Sequence, residues 1–306
     1  MRVLLIFIDG VGLGKAAGSN PLYYLNTPGI ASILGGQQLI SDSIGFECDK
    51  ASLLGLDATL NVPGLPQSAT GQAAIFTGEN AAALVGEHIN GYPEKTIRDL
   101  LYDKSLFKRI REKGFNCCFA NAYRPAFFEM LELGLPGYTY SCSTLASFFG
   151  GLNFFSLDDI RTGGALYMDI TNRVLLQMGF DIPIIEPEEG AKRLLEISKD
   201  YDFCMFEYFL SDIAGHTANP EEAEPVIETL DRFIGAMASD ISSGEALIMF
   251  TSDHGNLEDL ATREHTYNKV PLLLIGSRAL RRLPEMQAQC LTDVLPAIIA
   301  ALQYDR

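Results

Sequence analysis

The chain has 306 residues, enough for one large or two medium domains, and its 47% hydrophobic and 20% charged content is that of an ordinary globular protein. A formal net charge of -16 argues against non-specific binding to nucleic acid or to an anionic membrane surface. No apolar run approaches the roughly 20 residues that cross a bilayer, and six cysteines without a CxxC pair argue against a disulfide framework.

In chain order, RVLLIFI (2–8) reads as a fully buried strand. Only Arg2 leads into it and no small-residue cleavage site follows, so it is not read as a signal peptide, and the expected compartment is the cytoplasm. QSATGQAAIFTG reads as a tight turn entering a helix, whose first turn would offer backbone N–H groups to a phosphate. The stretch 86–199 has its own helix and strand patterns (KSLFKRIREKG, FNCCFANAY, GAKRLLEIS). It is also less acidic: residues 86–200 hold 13 Lys/Arg against 16 Asp/Glu, and the remainder holds 10 against 23. YDFCMFEYF (201–209) reads as an aromatic-rich strand. Residues 219–241 read as the best helix, with Asn219 as N-cap, Pro220 as first helical residue, and Val226, Ile227, Leu230, Phe233, Ile234, Met237 and Ile241 at helical spacing. ALIMFTS (246–252) and VPLLLIG (270–276) read as buried strands, and CLTDVLPAIIAAL (290–302) as a closing helix. This alternation predicts an α/β protein with a doubly wound, mainly parallel sheet. Residues 1–85 and 200–306 would form the catalytic core, and 86–199 an inserted smaller α/β cap domain.

Seven residues of metal-binding type fall along the core: Asp9 in LLIFIDGVG, Ser68 in LPQSATGQAA, Asp212 and His216 in SDIAGH, Asp253 and His254 in TSDHGN, and His265 in REHTYNKVP. Each has a bland alternative. Asp9 could cap a turn, and Asp212-x-x-x-His216 could be a polar loop as well as two ligands one helical turn apart. His265 alone could be a structural histidine. Their joint occurrence carries the reading, because three of only four histidines lie in this set and the acids sit where strands should end. Ligands of open α/β sheets bind at the carboxyl ends of strands. A mixed Asp/His/hydroxyl set suits Zn²⁺ or Mn²⁺, and two such ions can clamp both ends of a phosphoryl transfer.

The order IDGVG, SATGQ, DIAGH, SDHGN, EHTYNKVP resembles the metalloenzyme core of the alkaline phosphatase superfamily, nearest the branch of cofactor-independent phosphoglycerate mutase and phosphopentomutase. The resemblance implies that Asp9, Ser68, Asp253 and His254 hold one metal and Asp212, His216 and His265 the other. It makes Ser68 the nucleophile, three residues before Gly71, with Thr70 as rival. Two departures stand out: Gln72 occupies a position where the family has His, and the insertion is shorter than expected for phosphoglycerate mutase. Candidate substrate contacts are Gln72, His88, Arg98 and Arg124, with Lys15, Asn61, Arg161, Arg173 and Arg263 behind them. The implied function is phosphoryl transfer on a small phosphorylated metabolite through a phosphoserine, using two divalent ions (Mn²⁺ or Zn²⁺), in the manner of a phosphomutase. The alternatives are a metal-dependent phosphatase or phosphodiesterase and, more remotely, a non-catalytic metal- or phosphate-binding regulator. No Cys/Ser-x-Pro-x-Arg segment supports a sulfatase.

Overall fold

The computed structural model describes residues 1–132, 140–240 and 246–304. Its strands are β1 (Arg2–Ile8), β2 (Ala51–Leu56), β3 (Cys117–Phe119), β4 (Ala122–Tyr123), β5 (Phe155–Ser156), β6 (Phe203–Tyr208), β7 (Ala246–Thr251) and β8 (Val270–Ile275). The helices that frame the sheet and its loops are α1 (Ser68–Thr77), α2 (Lys95–Lys104), α3 (Leu106–Glu112), α4 (Pro125–Glu132), α5 (Cys142–Phe149), α6 (Pro187–Ile197), α7 (Leu210–Thr217), α8 (Pro220–Asp240) and α9 (Val294–Gln303).

Six strands form one sheet in the order β2-β8-β7-β1-β6-β3. β1 pairs in parallel with β6 and β7, and β3 in parallel with β6. β8 alone runs against the others, pairing antiparallel with both β7 and β2. The mainly parallel α/β architecture expected from the sequence is therefore present. Both faces of β1 are covered: Val3, Leu5 and Phe7 enter one core cluster, and Leu4, Ile6 and Ile8 the other. A strand buried on both sides has no solvent face to mark with polar residues, which is why VLLIFI shows no alternation. α1 and α9 cover the first face and α8 the second. The stripe of α8 is buried at Ile227, Leu230, Phe233, Ile234 and Met237. Ile241, also expected on it, lies outside the described residues. The Asn219 side chain accepts the Glu221 N–H at 3.1 Å, as an N-cap should. No described helix is long and apolar enough to cross a membrane.

Much of 86–199 packs on the central sheet. Phe115, Cys117 and Phe119 extend the first core cluster, and β3 is an edge strand of the central sheet. Helices α2, α3 and α5 add Ile97, Leu101, Phe107 and Leu145 to the same cluster, and α6 joins the opposite one through Ala191, Leu194 and Ile197. What stands apart is the β4–β5 pair with a small third cluster of Ala122, Leu157, Ile160, Ala165, Tyr167, Leu175 and Ile182. The helix-strand run KSLFKRIREKG-FNCCF is a crossover that widens the sheet, and its apolar pattern is the same whether it joins the core or a separate domain.

The ring of Phe76 meets Phe7 edge-on, centroids 5.4 Å apart, and this contact seats α1 on β1. Both side chains are fully buried. Phe76→Ala is expected to destabilise the protein by about 3–5 kcal/mol, measured by urea unfolding; a loss below about 1 kcal/mol would show that α1 is not anchored here.

Candidate metal centre

The expected ligands converge at one edge of the sheet because of strand direction. Asp9 follows β1, α7 follows β6 at once with Asp212 and His216 a turn apart, and Asp253 and His254 follow β7. His265 precedes β8, and the reversed direction of β8 brings the start of that strand to the edge where β7 ends. Ser68 is the first residue of α1. Two close approaches require glycine. A Cβ on Gly10, whose φ is +72°, would lie 2.8 Å from the backbone of Asp212, and one on Gly71 would lie 2.8 Å from the carbonyl oxygen of Asp253.

Two ligand groups result. In the first, His216 Nε2 lies 3.4 Å from Asp212 Oδ2, and His265 Nε2 lies 3.7 Å from Asp212 Oδ1 and 3.2 Å from His216 Nε2. In the second, His254 Nε2 lies 3.3 Å from Asp9 Oδ1, 3.6 Å from Asp253 Oδ2 and 3.0 Å from Ser68 Oγ. The rings of His254 and His265 stack at 3.6 Å, so the groups abut. Ligand atoms at the corners of a tetrahedron around Zn²⁺ stand about 3.4 Å apart, close to these spacings.

Protonation agrees with that fit. His216 Nδ1 and His265 Nδ1 each donate at 2.8 Å to a carbonyl, of Arg263 and Pro66 respectively. A carbonyl only accepts, so both rings carry their proton on Nδ1 and turn an Nε2 lone pair inward. Asp9 Oδ1 and Asp253 Oδ2 are buried without a hydrogen-bond partner. Facing lone pairs and bare carboxylate oxygens repel unless a cation lies between them. The residues present thus fit divalent metal ions.

The electrostatics carry the same strain. Burial, reinforced by Asp253, raises the Asp9 carboxyl well above its ordinary range, and burial also raises Asp253. Burial alone would lower His254, but Asp253 and Asp9 outweigh it and hold the imidazole up to about 10. Burial and the neighbouring His254 push His265 down to about 4.

Three polar residues brace the ligands. Gln72, a candidate substrate contact, donates from Nε2 to Asp9 Oδ2 at 3.2 Å. Asn256 donates to Asp212 Oδ1 at 3.0 Å. Glu258 is 1% exposed and ties the loop after β1 to the connection between β7 and β8. Its Oε2 accepts the N–H groups of Gly12 and Asn256, both at 2.8 Å, and its Oε1 accepts the Thr266 hydroxyl and the Asn268 amide. Sequence reasoning missed Glu258, which looks like one more surface acid; its one signal is its place in HGNLED beside the ligand pair.

The other candidates have protein partners of their own. His88 Nε2 donates to the Thr59 and Val62 carbonyls at 3.1 and 3.3 Å, and its Nδ1 meets the Thr70 hydroxyl at 3.4 Å. Thr70 also bonds the Gln67 carbonyl at 3.2 Å, so it is Ser68 whose hydroxyl meets the ligand set. Arg98 donates to the Pro93 carbonyl at 3.2 Å. Arg124 is exposed, with one guanidinium nitrogen 3.4 Å from Met178 Sδ. The first-turn N–H groups of α1 are also less available than expected. Those of Ala69 and Thr70 both point to the Ile89 carbonyl, at 3.1 and 3.4 Å.

Residues 180–306 match the family model described as Metalloenzyme superfamily, and this stretch holds Asp212, His216, Asp253, His254 and His265. A 2,3-bisphosphoglycerate-independent phosphoglycerate mutase of Thermococcus gammatolerans is 30% identical over 126 residues, covering 38% of this chain and 30% of that relative. The match thus spans under a third of the relative's length. Among solved structures, the PH0037 protein from Pyrococcus horikoshii superposes with a TM-score of 0.59 at 17% identity, covering 98% of this chain and 96% of that one. A cold-active alkaline phosphatase from a psychrophilic Shewanella superposes with a TM-score of 0.53 at 10% identity, covering 99% of this chain and all of that one. At such identities the structures show a shared fold.

Two predictions follow from this geometry. Glu258→Gln removes the charge that organises the loops and is expected to weaken Zn²⁺ affinity by about 10–100-fold in isothermal titration calorimetry; unchanged affinity would mean that the loops hold themselves. The second concerns pH. His254 is raised above its unfolded value, so its contribution is fully present below the ordinary histidine range and is lost as pH rises towards about 10. The raised carboxyls act in the same direction. His265, being lowered, contributes above the ordinary range and is lost only as pH falls through about 4. Chelator-treated protein is therefore expected to lose melting temperature between about pH 7 and about pH 9, while Zn²⁺-loaded protein does not. A gap between the two melting curves that stays constant or narrows would contradict this.

Proposed function

We propose that this chain, whose fold and sequence matches support an alkaline phosphatase superfamily metalloenzyme, transfers phosphoryl groups on a small phosphorylated metabolite through a phosphoserine at Ser68, in the manner of a phosphomutase. The observation that carries this reading is the meeting of a serine hydroxyl with the junction of two ligand groups, Ser68 Oγ at 3.0 Å from His254 Nε2. Asp9, Ser68, Asp253 and His254 would hold one divalent ion and Asp212, His216 and His265 a second, with Zn²⁺ or Mn²⁺ suited to the donors. When bound, the ions lower the pKa of the serine hydroxyl and neutralise charge on the phosphate and leaving oxygen.

The chain's own residues do the rest. Asp9 is held by Gln72 and His265 by the Pro66 carbonyl, so the ligand set is oriented before substrate arrives. Ser68 Oγ bonds to phosphorus as the ester P–O bond breaks and the alcohol leaves with the electron pair and a proton. In a mutase, another hydroxyl of the same alcohol takes the phosphoryl group back. The unit around β4 and β5, with α4, would serve as the cap that retains the alcohol. The expected setting is the cytoplasm, where such metabolites occur.

A second reading is hydrolysis, favoured by the fold shared with an alkaline phosphatase. Water would then take the phosphoryl group from Ser68, making the protein a phosphatase or phosphodiesterase.

A panel of phosphosugars and phosphoglycerates, assayed with Mn²⁺ and with Zn²⁺ on wild type and Ser68→Ala, separates these. Isomerised product with little free phosphate, lost by at least about 10³-fold in Ser68→Ala, is the expected result. Free phosphate without isomer would establish the hydrolase. No metal-dependent turnover on any ester would overturn phosphoryl transfer altogether.

A further inference from the structure

Isolated short helices are marginal in water, so one in a protein normally buries an apolar face. α4, eight residues long, carries Phe127, Phe128, Met130 and Leu131, yet none of its residues is buried. Its hold on the rest of the chain is aromatic: Phe127 stacks on Tyr123 at 4.0 Å and meets Phe154 edge-on at 4.9 Å. Between α4 and the last turn of α5 lies a groove of about 180 Å³ with almost wholly apolar walls, Phe127, Leu131, Phe148 and Phe154 among them. The apolar strip continues beyond the groove. Phe148, 43% exposed, meets Phe149 at 5.7 Å, and Phe149 meets Tyr102, 60% exposed, at 5.4 Å. A contiguous run of exposed apolar side chains marks an interaction surface.

The two ends of the strip differ in charge. Residues 125–155 contain no Lys or Arg, and their charges are Glu129 and Glu132 alone. Both acids are exposed on α4, and neither forms an ion pair among the described residues. They stand on the flank of α4 that bears Phe128, beside Arg161, which is already paired with Asp158 at 2.6 Å. At the other end, residues 95–113 hold seven Lys/Arg against three Asp/Glu, in a chain whose net charge is -16. Lys108 Nζ lies 5.3 Å over the Tyr102 ring and donates to the Tyr102 carbonyl at 3.2 Å. Arg111 donates to the carbonyls of Gly150 and Gly151, just past α5, at 2.5 and 2.9 Å. Both cations bond neutral oxygens, and among the described residues neither has a carboxylate partner.

Acids, apolar strip and bases in a row make a self-complementary face. A two-fold axis through the strip sets the acidic end of one copy against the basic end of the other, twice, and offers Phe148 of each copy to the groove of the other. Two copies of so acidic a chain meet with least repulsion where opposite charges pair, and the same acids disfavour an anionic membrane or a nucleic acid as occupant. We propose that this face binds a second copy of the chain in a two-fold dimer, with Phe148 near its centre and Glu129 and Glu132 facing Lys108 and Arg111 of the other copy. This pairing is independent of the reaction at the metal centre.

Sedimentation equilibrium on the full chain tests this. Wild type is expected to be a dimer with a Kd of about 1 μM or tighter. Phe148→Asp, which puts an unpaired charge at the centre, is expected to weaken the dimer at least about 30-fold. Two charge variants read the ends of the strip: Glu129→Lys with Glu132→Lys, and Lys108→Glu with Arg111→Glu. None of the four positions is buried. Each variant alone is expected to dimerise at least about ten-fold more weakly, because both of its contacts become repulsive. An equimolar mixture of the two is expected to regain the dimer, because both contacts of the mixed pair are attractive again. Wild type that stays monomeric at about 100 μM overturns the proposal; if that monomer pellets with phosphatidylcholine vesicles, the strip belongs to a lipid instead. A dimer that Phe148→Asp and both charge variants leave intact uses another surface and overturns it too. So does a mixture of the two charge variants, each folded by circular dichroism, that stays monomeric.

Discussion

Two buried carboxylate oxygens without partners, on Asp9 and Asp253, set the terms for the rest of this molecule. An unpaired buried charge is among the costliest features a fold can carry. Here it is compounded by two imidazole lone pairs turned towards each other at 3.2 Å. The chain's own cations relieve this only in part: His265 is pushed towards neutrality, and the one imidazole held protonated, His254, lies 3.3 Å from Asp9 Oδ1 and 3.6 Å from Asp253 Oδ2 and must serve both acids. Divalent cations remove both repulsions at once, because they take the lone pairs and the carboxylate oxygens as ligands.

Holding such a set together requires a scaffold stiffer than loops alone. Parallel β1, β6 and β7 end at one edge, and the reversal of β8 adds the loop that carries His265. Glu258 then locks the loop after β1 to the connection between β7 and β8, and pins that connection's two arms together, by accepting hydrogen bonds from Gly12, Asn256 and Thr266. A single acid with four donors converts two flexible connections into one rigid frame, the kind of support that keeps metal ligands in register.

What could be read from the sequence follows from which physics is local. Strand-end placement of Asp9, Asp212, Asp253 and His254 was legible because VLLIFI, FCMFEY and ALIMFT are short apolar runs that break at an acid or just before one. The stripe of α8 was legible because its period is helical over most of its length. That CCF joins the edge of the central sheet was not, since a short apolar strand has the same pattern whichever sheet accepts it. The hydrogen-bond partners of Gln72 and His88 were not legible either: Asp9 and the carbonyls of Thr59 and Val62 are 63, 29 and 26 residues away.

The exchange of His for Gln at position 72 can be given a physical reason. The Gln72 amide donates to Asp9 Oδ2 and leaves Oδ1 bare. A histidine there could donate the same bond, but it could also take up a proton and place a positive charge beside the ligands, competing with a cation for Asp9. An amide cannot titrate, so it orients the carboxylate at every pH without competing for the oxygen that faces the ligand set. The position therefore reads as a device for presenting Asp9.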